Sequence, residues 1–422
     1  LQGVVDAQEN QAMAEALIEV SNAYNLDIDE LADTNAVFID KIEFVYRQRK
    51  RSFFIRIGVA LLLSLFVFGF SFILFRNLKR YRQDIADTCP QCLGVGSFEQ
   101  VQSEHDFSNL DILRCTSVDQ VYGGDCGFEL HGLHREKTKL SFPTLGVPQA
   151  GKTHWLCMVY RELIRGAFDD IVNFERVRGE SSDEMDRRVE EIIEDRLNPE
   201  GTRTDALPKP LIFDFTDNDA WGKSNVLVNI FDYAGEITQS RPLDDPQRQR
   251  ALDADGYLFF IDPTDGATAD EQAKALVDFQ EDLRVIKKIS TGKSIRTPVA
   301  ICVPKLDLMV NQSYADPSRK GAVSRFYHDL SAIEQTDSSI SLENINKRSN
   351  LMMKFRETVW PGWRIERQIN DLFGGRFRFF PLTPVGMGDL GQTELREKTI
   401  EPFAILEPLM WLLHMNGFKV LS

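Results

Sequence analysis

The sequence predicts an α/β domain with a doubly wound, mostly parallel sheet, preceded by a transmembrane helix and a small cysteine module. Apolar strand-like runs alternate with helical stretches after residue 139, which favours a parallel sheet with its ligand at the carboxyl ends of the strands. An uncharged run occupies residues 57–75, and four of the six cysteines fall between Cys89 and Cys126. The expected units are an acidic helical segment (1–51), the transmembrane helix (52–76), the cysteine module (84–135) and the α/β domain (139–418), which carries a helical insertion at about 308–376.

Composition narrows the classes of partner. The formal net charge of -15 argues against nucleic acid as a partner, because phosphate-backbone surfaces need a clustered excess of Lys and Arg. Six cysteines in 422 residues are too few for a disulfide scaffold, so their clustering suggests a metal site.

Two thiols at Cys89 and Cys92 form a C-x-x-C turn, and Cys115 and Cys126 follow as a widely spaced second pair. Four thiolates can complete the tetrahedral shell of a structural zinc ion, as in a zinc ribbon, and such a closed site supplies folding energy rather than catalysis. His131 or His134 could replace either member of the second pair. A thioredoxin-like redox pair or four unrelated thiols are the alternatives. The other two cysteines, Cys157 and Cys302, are expected in the core.

A phosphate-binding loop is predicted after the strand-like run 139–144. Residues 146–153 match G-x-x-x-x-G-K-[ST] and lead into an apolar helix, which is the setting that this pattern requires. Backbone N–H groups of such a loop and of the helix N-terminus face the phosphates. Lys152 is predicted to reach the β- and γ-phosphates and Thr153 to bind Mg²⁺. The predicted nucleotide contacts of this segment are Gly146, Gln149, Ala150, Gly151, Lys152, Thr153 and His154.

Two more strands are predicted to end in carboxylates. The run 226–231 ends at Asp232, which could hold Mg²⁺ through water, and Gly235 could give its N–H to the γ-phosphate. The run 256–261 ends at Asp262, which we interpret as a strand-end cap or turn residue.

The base of the nucleotide is predicted to lie against the last two strands. The run 299–303 leads into Pro304 and Lys305, then Asp307, whose carboxylate could accept two hydrogen bonds from the guanine edge while the Lys305 stem packs across the base. Adenine offers the wrong donors to that carboxylate. The run 377–382 leads into a Thr-Pro-Val-Gly loop, in which Thr383 and Pro384 are predicted to sit beside the guanine carbonyl oxygen.

The order and spacing of these motifs resemble the Ras-like P-loop GTPases of the translation-factor (TRAFAC) class. The segments DYAGE, PKLD, FPLTPVG and EPLMWLL look like those of the bacterial double-GTPase families, and the resemblance covers about residues 139–418. It implies hydrolysis of GTP to GDP with Mg²⁺ and a nucleotide-dependent switch. Lys152 and Thr153 would then be catalytic, together with Glu236 and a switch threonine. For the switch threonine, Thr204 is slightly preferred to Thr202, and the alternative is that Thr204 is an ordinary loop threonine.

Two departures from that family pattern matter. Pro304 replaces the usual Asn or Thr, so a side-chain bond that braces the phosphate loop is missing. Glu236 stands where many small GTPases carry the glutamine that orients the attacking water. These departures leave a non-hydrolysing nucleotide-binding scaffold as the rival function, and an ATPase as a third. The insertion at 308–376 is either a surface for an unidentified protein partner or a structural elaboration.

The run at 57–75 is long enough to span a membrane, since about nineteen helical residues cross a core of about 30 Å. A buried core helix would show a polar face, and a signal peptide would show a cleavage pattern. Lys and Arg residues flank both ends of the run, so the positive-inside rule barely decides its orientation. Because a nucleotide-dependent domain needs cytosolic GTP or ATP, we expect a single-pass inner or plasma membrane protein whose GTPase domain lies in the cytosol.

Overall fold

The computed structural model divides the chain into two compact units, Leu1–Arg82 and Gln83–Ser422. In the first unit it describes residues 11, 15, 18, 19, 22, 44 and 47, all of them helical. In the second it describes residues 86–96, 98–101, 112–119, 124–166, 172–177, 180–194, 210–217, 225–233, 242–262, 264, 269–290, 293–336, 340–359, 373–386 and 400–421.

The predicted transmembrane segment, residues 52–76, lies outside the described residues, as does most of the predicted acidic segment 1–51. Among the residues that are described, no helix combines the length and the apolar character that crossing a membrane requires.

A seven-stranded sheet organises the described part of the second unit. Its strands are β6 (Thr138–Gly146), β7 (Val172–Arg176), β8 (Leu211–Asp217), β9 (Asn225–Asp232), β10 (Tyr257–Phe260), β11 (Val299–Val303) and β12 (Phe377–Pro381). Their order across the sheet is β12-β11-β10-β6-β9-β8-β7. The strand-like runs that the sequence shows at 139–144, 226–231, 256–261, 299–303 and 377–382 each coincide with one of these strands.

The sheet is mixed rather than uniformly parallel. Strands β12, β11, β10, β6 and β9 are parallel to one another, whereas β8 pairs antiparallel with both β9 and β7. Only seven residues separate β8 from β9, which suits a hairpin but not the long crossover that parallel neighbours need. Strand β7 at the sheet edge has no counterpart among the predicted strands.

Helices cover both faces of the sheet. Alternate strand residues, such as Leu258 and Phe260 against Tyr257 and Phe259, point into two separate apolar clusters. The first cluster is filled mainly by α1 (Lys152–Ile164), α2 (Glu180–Ile193) and α8 (Glu407–Met415). Five helices contribute to the second: α3 (Pro246–Leu252), α4 (Ala269–Ile286), α5 (Leu306–Ala315), α6 (Lys320–Thr336) and α7 (Leu342–Val359).

Three of these helices, α5 to α7, occupy most of the region that the sequence marks as an insertion. Helix α7 contributes Ile345 to the first cluster and Met352 and Phe355 to the second, so it wraps around the edge of the sheet at β12. Residues 360–372 of the insertion lie outside the described residues.

The cysteine module is a small antiparallel β structure that packs on the sheet. Strands β1 (Phe98–Val101), β2 (Ile112–Cys115) and β5 (Glu129–His131) form one sheet, and β3 (Val118–Asp119) pairs with β4 (Gly124–Asp125). Leu130 of this module is buried in a shared cluster with Ile212 of β8 and Leu227 of β9. The module therefore covers the face of β8 and β9 that is opposite to α1 and α2.

Candidate nucleotide-binding site and cysteine cluster

The predicted nucleotide motifs meet at the carboxyl ends of the parallel strands of the sheet. Because β6, β9, β10, β11 and β12 are parallel, their carboxyl ends lie together, and Gly146, Phe260, Cys302 and Phe380 occupy one register row. The residues that follow β6 and β11 are two strand spacings apart, or about 10 Å. A single nucleotide can bridge that separation.

The phosphate-binding loop has the conformation that its glycines permit. Gly146 has φ 126°, and a Cβ there would lie 2.0 Å from the Phe260 carbonyl oxygen, so only glycine fits. Gly151 (φ 85°) and Gln149 (φ 57°) also adopt left-handed conformations, and Ala150 between them is fully buried. Helix α1 begins directly after this curl, which aims the N–H groups of its first turn at the loop.

Lysine, hydroxyl and carboxylate groups surround the loop. Lys152 donates from Nζ to the Val147 carbonyl oxygen over 2.9 Å. The Thr153 hydroxyl donates to Asp232 Oδ2 over 2.9 Å. Hydroxyl and carboxylate oxygens are the ligands that Mg²⁺ prefers, so this pair fits a magnesium site. His154 follows in the first turn of α1 and is half-buried.

Thr144 is a further residue of this site that sequence reasoning missed. Its hydroxyl lies 3.2 Å from Asp232 Oδ1 and 3.2 Å from the Phe231 carbonyl oxygen. Thr144 is paired with Asp232 across β6 and β9, so the contact depends on the strand register. The only sequence signal was a hydroxyl residue inside an apolar strand next to the glycine motif.

Asp307 is nearly fully buried, with 2% of its surface exposed, at the start of α5. Its Oδ1 accepts a hydrogen bond from the Thr383 hydroxyl over 3.0 Å, which joins the two segments that were predicted to contact the base. A carboxylate oxygen can accept more than one hydrogen bond, so this contact leaves capacity for a ligand.

Lys305 has φ 59° and forms an ion pair with Asp262 Oδ2 over 2.7 Å. Asp262 also closes a turn after β10, because its Oδ1 accepts from the Thr264 N–H over 2.8 Å. Asp262 is therefore the turn residue that the sequence suggested, and in addition it orients the predicted base-contacting lysine.

Pro304 contacts the phosphate loop through apolar atoms. A Cβ built on Gly151 would lie 3.4 Å from the Pro304 Cβ, so the proline ring sits close to the loop backbone. The side-chain hydrogen bond that the family pattern uses at this place is replaced by van der Waals packing.

The loop that is predicted to contact the base, residues 383–386, is called the base-recognition loop and is held by the segment that precedes α8. Thr383 N–H donates to the Phe403 carbonyl oxygen over 3.2 Å, and Phe403 N–H donates to the Thr383 carbonyl oxygen over 2.9 Å. Pro384 has no N–H, so the N–H of Val385 is the next backbone donor in this loop.

Four predicted participants lie outside the described residues: Thr202 and Thr204 before β8, and Gly235 and Glu236 after β9. Their roles remain predictions.

The four clustered cysteines converge on one point. Cys89 and Cys126 Sγ atoms are 3.8 Å apart, Cys92 and Cys115 Sγ atoms are 3.8 Å apart, and all four lie within 4.8 Å of one another. A disulfide requires about 2.05 Å. The S–S edge of a tetrahedron with metal–sulfur bonds of about 2.3 Å is about 3.8 Å, so the cluster has the dimensions of a tetrahedral metal site. Hydrogen bonds from the Cys89 and Cys92 thiols lower the pKa of the Cys126 thiol well below its ordinary value.

The two candidate histidines lie outside this cluster. His131 Nδ1 accepts from Leu133 N–H over 3.2 Å, and His134 Nδ1 lies 3.0 Å from Asp214 Oδ2. The described residues of the module form antiparallel strands, and among them there is no βαβ unit of the kind that surrounds a thioredoxin-like pair. Cys157 and Cys302 are buried in the core, and burial raises the pKa of Cys157 to about 12.

A polar contact fastens the cysteine module to β8. The buried carboxylate of Asp214 contacts His134 and also accepts a hydrogen bond from Lys137. Burial alone would raise the pKa of Asp214, but hydrogen bonds from His134 and Lys137 outweigh it and lower that pKa. Asp214 is thus held as a carboxylate at the boundary between the module and the sheet.

A mixed α/β sheet with a glycine-rich phosphate loop, a Thr–Asp pair beside it and a Lys-x-Asp motif two strands away defines a P-loop nucleotide-binding protein. The family model described as Double-GTPase 2 matches residues 142–357, just over half of the chain, and the chain belongs to this family. That membership makes it a GTP-binding protein. No curated protein gives a significant match. The base-recognition loop at 383–386 lies beyond the matched residues.

Proposed function

We propose that the protein binds GTP with Mg²⁺ and hydrolyses it to GDP, acting as a nucleotide-dependent switch of the Ras-like TRAFAC type. One observation carries the proposal. The Thr153–Asp232 pair and the buried Asp307 lie at the same carboxyl ends of the parallel strands, separated by about the length of one nucleotide. The Thr153–Asp232 pair suits Mg²⁺ and phosphate, and the Asp307 carboxylate suits guanine.

Each residue around the phosphate loop has its own proposed role in binding and hydrolysis. Lys152 would move its ammonium from the Val147 carbonyl oxygen to the β- and γ-phosphates. Thr153 and Asp232 would hold Mg²⁺, which when bound neutralises charge on the phosphates. We assign Gly235 to the γ-phosphate, Glu236 to the attacking water and Thr204 to the switch that closes over them.

Asp307 would select the base. Guanine presents two N–H donors that match one carboxylate, and the Val385 N–H is suited to the guanine carbonyl oxygen, whereas adenine presents an amino group at that position. Thr383 would keep the Asp307 carboxylate in plane with the base through its 3.0 Å hydrogen bond. The alternative is an ATPase, in which Asp307 would not select guanine.

Asp307→Asn tests the base selection. The amide replaces an acceptor with a donor, so we expect the affinity for GTP to fall roughly 10- to 150-fold, the value of a hydrogen bond to a charged group, and the affinity for XTP to rise. Competition of GTP, XTP and ATP against a fluorescent nucleotide measures both changes. Equal affinities of the unaltered protein for GTP and ATP would refute guanine selection.

The rival proposal is a scaffold that binds GTP and does not turn it over. Pro304 and Glu236 favour this rival, because each departs from the hydrolysing pattern. Lys152, Thr153 and Asp232 favour the enzyme, because together they complete the lysine and magnesium constellation that stabilises charge during phosphoryl transfer.

We further propose that the cysteine cluster holds a structural Zn²⁺ ion. Four thiolates in a tetrahedral arrangement are a donor set that zinc prefers, and the absence of an open coordination position suits a structural role. The ion would hold the β2 strand and the connections around it in place.

The run at 57–75 is proposed as a single membrane anchor, with the GTPase domain in the cytosol. Its support is nineteen uncharged residues flanked by basic ones. We expect the full chain to sediment with membranes and to resist extraction at alkaline pH. Deleting residues 57–75 should move the protein to the supernatant. Extraction of the undeleted chain by carbonate would contradict the anchor.

A further inference from the structure

The base-recognition loop rests on residues 401–406. Thr383 and Phe403 exchange two backbone hydrogen bonds, and a Cβ built on Gly386 would lie 2.6 Å from the Glu401 carbonyl oxygen. The loop therefore follows any movement of this neighbouring segment, which we call the support segment.

The support segment has little regular secondary structure of its own. It lies between the base-recognition loop and α8 and contains no helical or strand residues apart from the single bridge at Phe403. Ala404 within it has φ 54°, a left-handed conformation that is strained for a non-glycine residue. Such a conformation persists only where the surroundings fix it.

One fixing contact comes from the phosphate-loop helix. Trp155, two residues after Thr153, is fully buried, and its Nε1–H donates to the Ile405 carbonyl oxygen over 2.8 Å. The indole thus ties the support segment to the same helix that presents the phosphate-binding residues.

A second fixing contact comes from helix α7 of the insertion. Arg348 pairs through Nη1 with Glu407, the first residue of α8, and its guanidinium carbon lies 5.7 Å from the centre of the Phe403 ring. Both charged side chains are almost completely buried, with 8% and 3% of their surfaces exposed. A buried ion pair is a weak source of stability because desolvation offsets its attraction, but it fixes the relative position of its partners.

Helix α7 also holds the strand that enters the base-recognition loop. The Ser349 hydroxyl oxygen accepts from the Phe379 N–H of β12 over 3.0 Å, at the outer edge of the sheet. Adjacent residues of one helix thus contact both chain segments that flank residues 383–386.

We propose that Arg348, acting through Glu407 and Phe403, is a positioning residue for guanine recognition. The inserted helix α7 is then an internal brace of the base-recognition loop. This inference rests on the proposed function, in that the braced loop is the one that meets the base.

The test is Arg348→Met with Glu407→Met in one chain. Replacing both charges with apolar side chains of similar volume avoids an unpaired buried charge and is often neutral for stability. We expect near-normal thermal stability, a preference for GTP over ATP reduced about tenfold or more, and unchanged competition by Mg²⁺–tripolyphosphate, which lacks a base. Amide hydrogen exchange at Thr383 and Phe403 in the nucleotide-free protein should become faster.

Lys347→Met with Glu343→Met is the matched control, because it removes an exposed ion pair, 2.7 Å between Nζ and Oε1, from the same helix by the same substitutions. It should leave the nucleotide preference and the exchange at Thr383 and Phe403 unchanged. If the Arg348 and Glu407 double variant keeps a normal nucleotide preference and normal hydrogen exchange at Phe403, the proposed positioning role of Arg348 is overturned. If the unaltered protein shows no preference for guanine, the proposed function is overturned instead. Hydrogen exchange at Phe403 in the double variant would still show whether Arg348 and Glu407 hold the support segment in place.

Discussion

Lys152→Ala is expected to lower phosphate release from GTP in a single turnover by about 100-fold or more, the typical cost of removing one positioned charge donor from a reaction centre. The reason is geometric. Lys152 is the first residue of α1, is 6% exposed, and has its ammonium at the Val147 carbonyl oxygen inside the phosphate loop. Without it, the β- and γ-phosphates would lose the ammonium that is proposed to neutralise part of their negative charge.

The measurement is phosphate release from the purified chain mixed with a small amount of labelled GTP. Lys347→Ala is the control, because Lys347 lies on the exposed face of α7 and pairs only with Glu343 at 2.7 Å among its described ion pairs. Tight GTP binding with no phosphate release from the unaltered protein would support the scaffold. Equal release from the unaltered chain and Lys152→Ala would show that the activity comes from a contaminant.

The parts of the site that could be predicted are those whose signal is local. The glycine pattern at 146–153 and the apolar strands before Asp232 and Asp307 are short, continuous stretches, and the conformation of each follows from its own residues. Their meeting at one edge then follows from parallel pairing, since the carboxyl ends of parallel strands lie together.

The missed contacts all join residues that are distant in sequence. Thr144 reaches Asp232 across 88 positions, Arg348 reaches Glu407 across 59, and the Trp155 indole reaches the carbonyl of Ile405 across 250. A buried tryptophan or arginine in a helix does not indicate its partner, because that partner depends on how several elements pack.

The antiparallel edge of the sheet shows the same limit. The strand at 172–176 is polar at several positions, VNFER, and it pairs at the sheet edge, where periodicity is weakest as a signal. Likewise, the cysteine spacing did not decide whether Cys115 and Cys126 or the two histidines complete the metal site. That choice depends on how β2 and β5 pair.

Cys115→Ser is expected to abolish stoichiometric zinc binding and to destabilise the sheet as well as the module. Structural zinc sites contribute about 10–16 kcal/mol of apparent folding free energy in small peptides, which is comparable to the whole stability of a typical domain. Here the module is part of a larger core, because Leu130 is buried against Ile212 and Leu227. Loss of the metal should therefore expose the outer face of β8 and β9.

Three measurements check this outcome: zinc per chain by elemental analysis, thermal unfolding, and GTP affinity. Cys157→Ala is the matched control, since Cys157 is a buried thiol outside the cluster and should keep one zinc per chain with only a packing loss. Zinc retained by Cys115→Ser, or no zinc in the unaltered protein together with a reducible Cys89–Cys92 disulfide, would contradict the structural site. Because Asp232 ends β9, a metal-free chain should also bind GTP more weakly, which would make the cysteine module a structural part of the nucleotide site.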